Sequence, residues 1–256
     1  MSYSFSLNKF VGKVAVVTGA SAGIGKSIAE SLVKQGLVVA ALARRFDRLQ
    51  QMSKQLNGEK GKLVPYQCDV SQQDQIISVF KKITSELGPI HILVNNAGLS
   101  RMTTIIDGDI DKWKLALDTN LLGATICIRE AIASMKSANI KGHIININSV
   151  LGHVVADLPT LNVYPATKHG LTAMTETVRF EIIKENLPIK ITSISPGYVK
   201  TEFVSAFTSG GPPFPGLAEM RGLESEDIRD TVLYVLSTPD HVNIQELTVT
   251  AQGTKM

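Results

Sequence analysis

Cysteine is scarce in this chain: two in 256 residues, Cys68 and Cys127, without CxxC spacing. Neither a disulfide framework nor a thiolate metal site is expected, and reduced thiols fit a cytoplasmic protein. The five histidines are scattered with no HExxH pair, so no metal ligand set is expected. An excess of one charge is also lacking, with 26 basic against 23 acidic side chains, and no basic run is longer than Arg44-Arg45 or Lys81-Lys82. Nucleic acid is therefore not an expected partner. No apolar run approaches the length of a membrane span, and the N-terminal MSYSFSLNKFVGK has no uninterrupted apolar core or convincing cleavage site. No membrane attachment is expected.

What the chain does have is apolar side chains, 44% of the total, enough for a sizeable core. They fall in short runs at residues 14–17, 37–42, 62–68, 90–94, 144–148, 189–194 and 246–250. Wholly apolar runs such as Val14-Ala15-Val16-Val17 mark strands buried on both faces of a parallel sheet. Helical stretches separate them, among them 26–35, 72–87, 109–136, 164–184 and 225–237. The alternation predicts an α/β fold, a doubly wound parallel sheet (Rossmann) of about seven strands with helices on both faces. No linker or internal repeat divides it, so a single domain over 1–256 is expected.

The first strand runs into Thr18-Gly19-Ala20-Ser21-Ala22-Gly23-Ile24-Gly25 and then a helix. Glycines there permit a tight turn and let the backbone approach a pyrophosphate at the helix N-terminus. The spacing is GxxxGxG, not the GxGxxG fingerprint, so the strand–turn–helix context carries the weight. At the end of the second strand an NAD enzyme carries an acid for the ribose 2′-hydroxyl. Here stand Ala43, Arg44 and Arg45, and the first acid is Asp47 in the next helix. A carboxylate repels a 2′-phosphate and a guanidinium binds one bidentately. NADP(H) is therefore the expected cofactor, with Arg44 ahead of Arg45. Two solvated arginines opening a helix are the alternative, disfavoured by the helix dipole.

Asp69, ending the third strand, either contacts an adenine amine or caps the helix near Gln72. Asn95-Asn96-Ala97-Gly98 after the fourth strand suits a turn lying against a cofactor, or a plain turn. Asn120 falls mid-helix, where asparagine is unfavourable, and hints at a polar task or a kink. Ser149 ends the fifth strand, and His153 reads as a loop histidine. The sixth strand ends in Pro196-Gly197-Tyr198-Val199-Lys200-Thr201. Residues 202–221 are rich in Gly and Pro yet carry Phe203, Phe207, Phe214 and Met220, the pattern of a substrate lid. A surface loop without ligand contact is the alternative.

Tyr164 and Lys168 stand four residues apart at the mouth of a helix and so project from one face. Pro165 between them suits a first helical turn. A free tyrosine has a pKa of about 10. An ammonium about 4 Å away contributes on the order of 4 kcal/mol at an effective dielectric of about 20, roughly three pK units. A phenol so placed can exchange a proton with an alcohol–ketone pair. Ligands of such sheets bind beyond the carboxyl ends of the strands. Every residue singled out follows a strand or opens a helix at that edge, except Asn120.

Taken together, these residues resemble the short-chain dehydrogenase/reductase family in its shorter, single-domain branch. The match covers Thr18 to Gly25, Asn95 to Gly98, Asn120, Ser149, Tyr164 with Lys168, and Pro196 to Thr201. The resemblance implies a catalytic set of Asn120, Ser149, Tyr164 and Lys168. In it Tyr164 exchanges the proton, Ser149 holds the substrate oxygen, Lys168 lowers the phenol pKa and binds ribose, and Asn120 holds a relay water. It implies cofactor contacts from Gly19, Ser21, Gly23, Ile24, Gly25, Arg44, Arg45, Asp69, Val70, Asn96, Ala97, Gly98, Tyr164, Lys168, Pro196, Gly197, Val199 and Thr201. Finer likeness, in His143 to Ser149 with Gly152-His153, Ile194 to Gly197 and Leu236 to His241, points to a branch acting on apolar alcohols or carbonyls. Farnesol is then the specific expectation, with steroid or general carbonyl substrates as alternatives. The resemblance also implies a homodimer or homotetramer through the helix after Tyr164. Ala22 stands where many NADP-dependent members are basic, and the C-terminal strand lacks an Asp-Gly-Gly ending. A nucleotide-binding sensor without chemistry is the reading from another class, set against the presence of all four catalytic positions.

Overall fold

The computed structural model describes residues 6–157, 160–207 and 221–254. Its strands are β1 Val14–Thr18, β2 Val38–Ala43, β3 Lys62–Gln67, β4 Ile90–Asn95, β5 Gly142–Ile147, β6 Ile189–Pro196 and β7 Glu246–Val249. Its helices are α1 Gly23–Lys34, α2 Phe46–Gln55, α3 Gln73–Leu87, α4 Ile110–Leu117, α5 Ala124–Ser137, α6 Tyr164–Lys184, α7 Glu202–Phe207 and α8 Ser225–Ser237. The strands form one sheet in the order β3-β2-β1-β4-β5-β6-β7, with every neighbouring pair parallel. This is the expected doubly wound sheet.

Strand periodicity explains why β1 is apolar throughout. Ala15 and Val17 pack into the core formed with α1, α2 and α8, while Val14 and Val16 face the core formed with α3, α5 and α6. Successive side chains of a strand point to opposite faces, so burial on both faces leaves no polar position. The helices stop where the chain chemistry says they should. Gly36 follows α1 at φ +95°, and Gly88 at φ +93° caps α3 before Pro89. Asp109 caps α4, accepting from the amides of Asp111 at 3.0 Å and Lys112 at 3.3 Å.

One expectation changes here. The single helix over 109–136 is interrupted, because residues Asp118–Gly123 form a π-helical turn between α4 and α5. A Cβ on Gly123 would lie 2.1 Å from the Val70 carbonyl oxygen, so the wide turn comes against the β3–α3 connection where only glycine fits. The lid expected over 202–221 begins with the short helix α7. Phe214 and Met220 lie outside the described residues. No helix among the described residues is long and apolar enough to cross a membrane.

Candidate active site

In the sheet, β1 lies between β2 and β4, so the strand order reverses direction there, the position at which α/β sheets open a ligand crevice. A cavity of about 960 Å³ lies at this edge, near the upper end of the roughly 300–1,000 Å³ typical of ligand sites. Gly19, Ser21, Gly23 and Ile24 form one part of its wall, and Arg44, Arg45 and Asp69 another. Ser149, Tyr164 and Lys168 form a third, with Pro196, Gly197, Val199 and Thr201 completing it.

The glycine turn is held by close packing against the β4 loop. Gly19 sits at φ +66°, and a Cβ there would come 2.9 Å from Ala97 Cα and Asn96 Nδ2. Asn96 Nδ2 donates to the carbonyls of Thr18 at 2.9 Å and Gly19 at 3.3 Å. Thr18 Oγ1 accepts from the Asn96 and Ala97 amides, both at 3.0 Å. α1 then begins with neither a side-chain cap nor an acid in its first turn. Its free N–H groups and positive dipole end form a place for an anion. Arg44 is exposed and makes no ion pair among the described residues, whereas Arg45 donates from Nε to Ser21 Oγ at 3.2 Å. Asp69 does not cap α3. Its Oδ1 accepts from the Ser71 amide at 3.0 Å and hydroxyl at 2.8 Å, a local turn that keeps the carboxylate in the cavity wall.

At the other end, Tyr164 is the first residue of α6 and Pro165 follows it in the first turn, where its missing N–H is harmless. The Tyr164 phenol is hydrogen-bonded to Ser149, yet burial pushes its pKa up to about 12. Lys168 Nζ lies 5.8 Å from the Tyr164 ring centroid and donates to the Ile147 carbonyl at 3.0 Å. Burial brings the lysine down to about 8. The acidified phenol expected from the Tyr–Lys spacing is thus not what the protein's own groups produce, because the ammonium is turned to a backbone carbonyl and desolvation wins. Phe203 of α7 packs on the Tyr164 ring, with centroids 5.7 Å apart.

Asn120 sits in the π-helical turn, 1% exposed. Its Oδ1 accepts from the Leu99 amide at 2.8 Å, and its Nδ2 donates to Leu99 O at 2.7 Å and Thr167 Oγ1 at 3.1 Å. Thr167 Oγ1 in turn donates to the Tyr164 carbonyl at 2.7 Å. The amide ties the β4 loop to the first turn of α6 and keeps no hydrogen for a relay water.

A profile for short chain dehydrogenases matches residues 13–210. This chain belongs to the short-chain dehydrogenase family. It is 44% identical over 252 residues to farnesol dehydrogenase of Aedes aegypti, covering 97% of this chain and 100% of that one. It is 41% identical over 240 residues to human dehydrogenase/reductase SDR family member 11, covering 92% of each. An alcohol dehydrogenase from the archaeon Thermococcus sibiricus, solved with 5-hydroxy-NADP, superposes with a TM-score of 0.82 at 27% identity, over 95% of this chain and 98% of that one. The protein is therefore an oxidoreductase of a family that binds nicotinamide cofactors.

The short-chain dehydrogenase cavity gathers all but two of the catalytic and cofactor-binding residues expected from the sequence. Gly19, Ser21, Gly23, Ile24, Arg44, Arg45, Asp69, Val70, Asn96, Ala97 and Gly98 line it, as do Ser149, Tyr164, Lys168, Pro196, Gly197, Val199 and Thr201. Gly25 and Asn120 stand behind the wall. A Cβ on Gly25 would lie 2.3 Å from Asn96 Nδ2, so that glycine serves packing of the turn. His153 is outside the wall too, with Nε2 2.9 Å from Ser195 Oγ and 3.3 Å from Glu246 Oε1. The sequence reading missed Ser100, Arg101, Thr119 and Asn148, all in the wall. Asn148 adjoins Ser149 and Thr119 adjoins Asn120, both of which were named; nothing in the local pattern marks Ser100 or Arg101.

Proposed function

We propose that this short-chain dehydrogenase is an NADP(H)-dependent alcohol dehydrogenase or carbonyl reductase acting on an apolar substrate, with farnesol and farnesal the specific pair. The observation that carries the chemistry is the meeting of Ser149, Tyr164 and Lys168 in one wall of a cavity whose other wall holds the glycine turn and Arg44. Leu99, Val150, Leu151, Val154, Leu161 and Phe203 line the same cavity and support an apolar substrate. The names of the mosquito and human relatives support the same class.

The residues fit a dinucleotide phosphate: an uncapped α1 N-terminus, a glycine cradle that a Cβ would fill, and an exposed guanidinium at the end of β2 with no ion pair among the described residues. Bound nicotinamide supplies or accepts the hydride. The Tyr164 hydroxyl gives its proton to the substrate oxygen in reduction and takes one back in oxidation. Ser149 Oγ holds that oxygen beside the phenol. The Lys168 ammonium favours the phenolate by charge, and Asn120 fixes the position of α6 relative to the β4 loop. Phe180 and Ile183 of α6 are 58% and 61% exposed, which supports pairing of two copies along that helix.

Tyr164→Phe should keep cofactor affinity while kcat falls by roughly a hundred- to ten-thousand-fold, the usual worth of a positioned acid–base group. A near-normal kcat in that variant ends the catalytic assignment. Comparing kcat/KM for farnesol, steroid ketones and short carbonyls decides the substrate. Arg44→Ala should weaken NADPH far more than NADH, and equal loss for both refutes the NADP(H) reading.

A further inference from the structure

We propose that Glu202, the first residue of α7, limits how tightly a cofactor 2′-phosphate is held, by occupying the guanidinium groups of Arg45 and Arg48 that the phosphate would otherwise recruit. The proposal rests on the NADP(H) reading. Arg45 Nη1 donates to Glu202 Oε2 at 2.8 Å, and Arg48 Nη1 donates to Oε1 at 2.9 Å and Oε2 at 3.0 Å. Both Arg45 and Glu202 line the cavity next to Arg44, and Arg48 stands behind them one turn into α2. The two guanidinium groups hold the Glu202 carboxyl below the usual carboxylate range, so it is charged at neutral pH.

A carboxylate and a phosphate monoester make the same kind of bidentate pair with arginine. A 2′-phosphate arriving at Arg44 therefore meets a negative charge already satisfied by the neighbouring cations. It must either share Arg45 with Glu202 or displace it. A cofactor with a free 2′-hydroxyl carries no such charge and is indifferent to the carboxylate. Glu202 thus acts on the discrimination between the two cofactors and not on dinucleotide binding as such. The side chains are 44% (Arg45), 43% (Arg48) and 54% (Glu202) exposed, so water and salt screen the effect.

The test is calorimetric titration of the full chain with NADP+, NAD+ and 2′,5′-ADP at low and high ionic strength. Glu202→Gln should tighten NADP+ and 2′,5′-ADP about two- to fivefold at low salt, the range of exposed ion pairs. NAD+ affinity should not change, and the gain should shrink at high salt. Arg48→Gln should weaken NADP+ and spare NAD+, since the Glu202 carboxylate, no longer bonded to Arg48, then holds Arg45 more closely. An unchanged NADP+/NAD+ ratio in Glu202→Gln, or equal tightening of both, overturns the proposal. Should the wild-type protein bind NADP+ and NAD+ alike, the NADP(H) reading fails as well. Wild-type discrimination with an unmoved Glu202→Gln ratio removes only the role of Glu202.

Discussion

Burial acts on both members of the Tyr164–Lys168 pair, and in opposite directions on the scale. The phenol is pushed up to about 12 and the ammonium down to about 8, each toward its neutral form. The Ser149 hydrogen bond opposes that rise on the phenol, and Lys168 adds a nearby positive charge only below about pH 8. Removing that charge in Lys168→Met leaves only Ser149 to oppose desolvation, so the phenol should rise further. The rising limb of kcat/KM for alcohol oxidation should then move to higher pH, and the rate at pH 8 should fall. A pH–rate profile for both proteins checks this, and an unmoved limb would assign Lys168 to binding alone. Gly25 offers a different residue-scale test. A Cβ there would sit 2.3 Å from Asn96 Nδ2 and 2.6 Å from the Gly19 carbonyl oxygen. Asn96 already bonds Thr18 and Gly19, so any shift passes to the glycine turn. Gly25→Ala should cost about 1–3 kcal/mol, the range of overpacking, and weaken dinucleotide binding, as urea unfolding and calorimetry would register.

Among the elements, the π-helical turn between α4 and α5 carries the most consequence for the site. A π-turn is rare and concentrates at functional places; here it aims Asn120 inward across to Leu99 and Thr167. Asn120→Ala would strand the buried Leu99 amide and carbonyl, at about 1–3 kcal/mol for each unpaired group. Unfolding free energy should drop by on the order of 3 kcal/mol in urea titration, with kcat falling as α6 loses its tie. A loss below about 0.5 kcal/mol, the level of an ordinary surface change, would mean that water replaces the amide. The sequence marked this residue because asparagine is out of place mid-helix. It did not give the wide turn, since that depends on Gly123 meeting Val70, residues about fifty positions apart that only the sheet brings together. The same holds for Glu202. Its neighbours in the chain read as the start of a lid, but its partners Arg45 and Arg48, at the entrance and in the first turn of α2, are about 150 positions away in the chain. Side chains whose local pattern declares a task, such as Tyr164 with Lys168 or the glycine turn, were legible. Those whose task is set by a distant partner were not.

Across the whole molecule, a parallel sheet covered on both faces turns polar side chains of its middle strands toward internal partners. Asn95 Nδ2 donates to Asn146 Oδ1 at 3.0 Å, and Asn146 Nδ2 donates to Thr175 Oγ1 at 2.9 Å, joining β4, β5 and α6. The alternation of strand and helix made the sheet itself legible, because it is written in the period of the apolar residues. His143 shows what the same burial does to a titrating group. It lies on β5, 1% exposed, with Nε2 2.9 Å from Thr192 Oγ1. The Thr192 hydroxyl donates to the Ile244 carbonyl at 2.6 Å, so His143 Nε2 carries the hydrogen and Thr192 accepts it. His143 Nδ1 is buried with no partner among the described residues, and a second proton there would have no acceptor. Burial first, then the Lys190 and Lys9 ammonium groups, lowers its pKa from 6.5 to about 3. The unfolded chain therefore binds a proton that the fold refuses between these values. Stability from this source is whole above about pH 6.5 and is lost as pH falls toward 3, by up to about 1.4 kcal/mol per unit. His143→Gln keeps a donor toward Thr192 and cannot titrate, so wild-type stability should fall relative to the variant between pH 6.5 and 4.5. Urea unfolding of both proteins at several pH values in that window measures the difference. A constant difference would place the acid sensitivity of the fold elsewhere than in this buried imidazole.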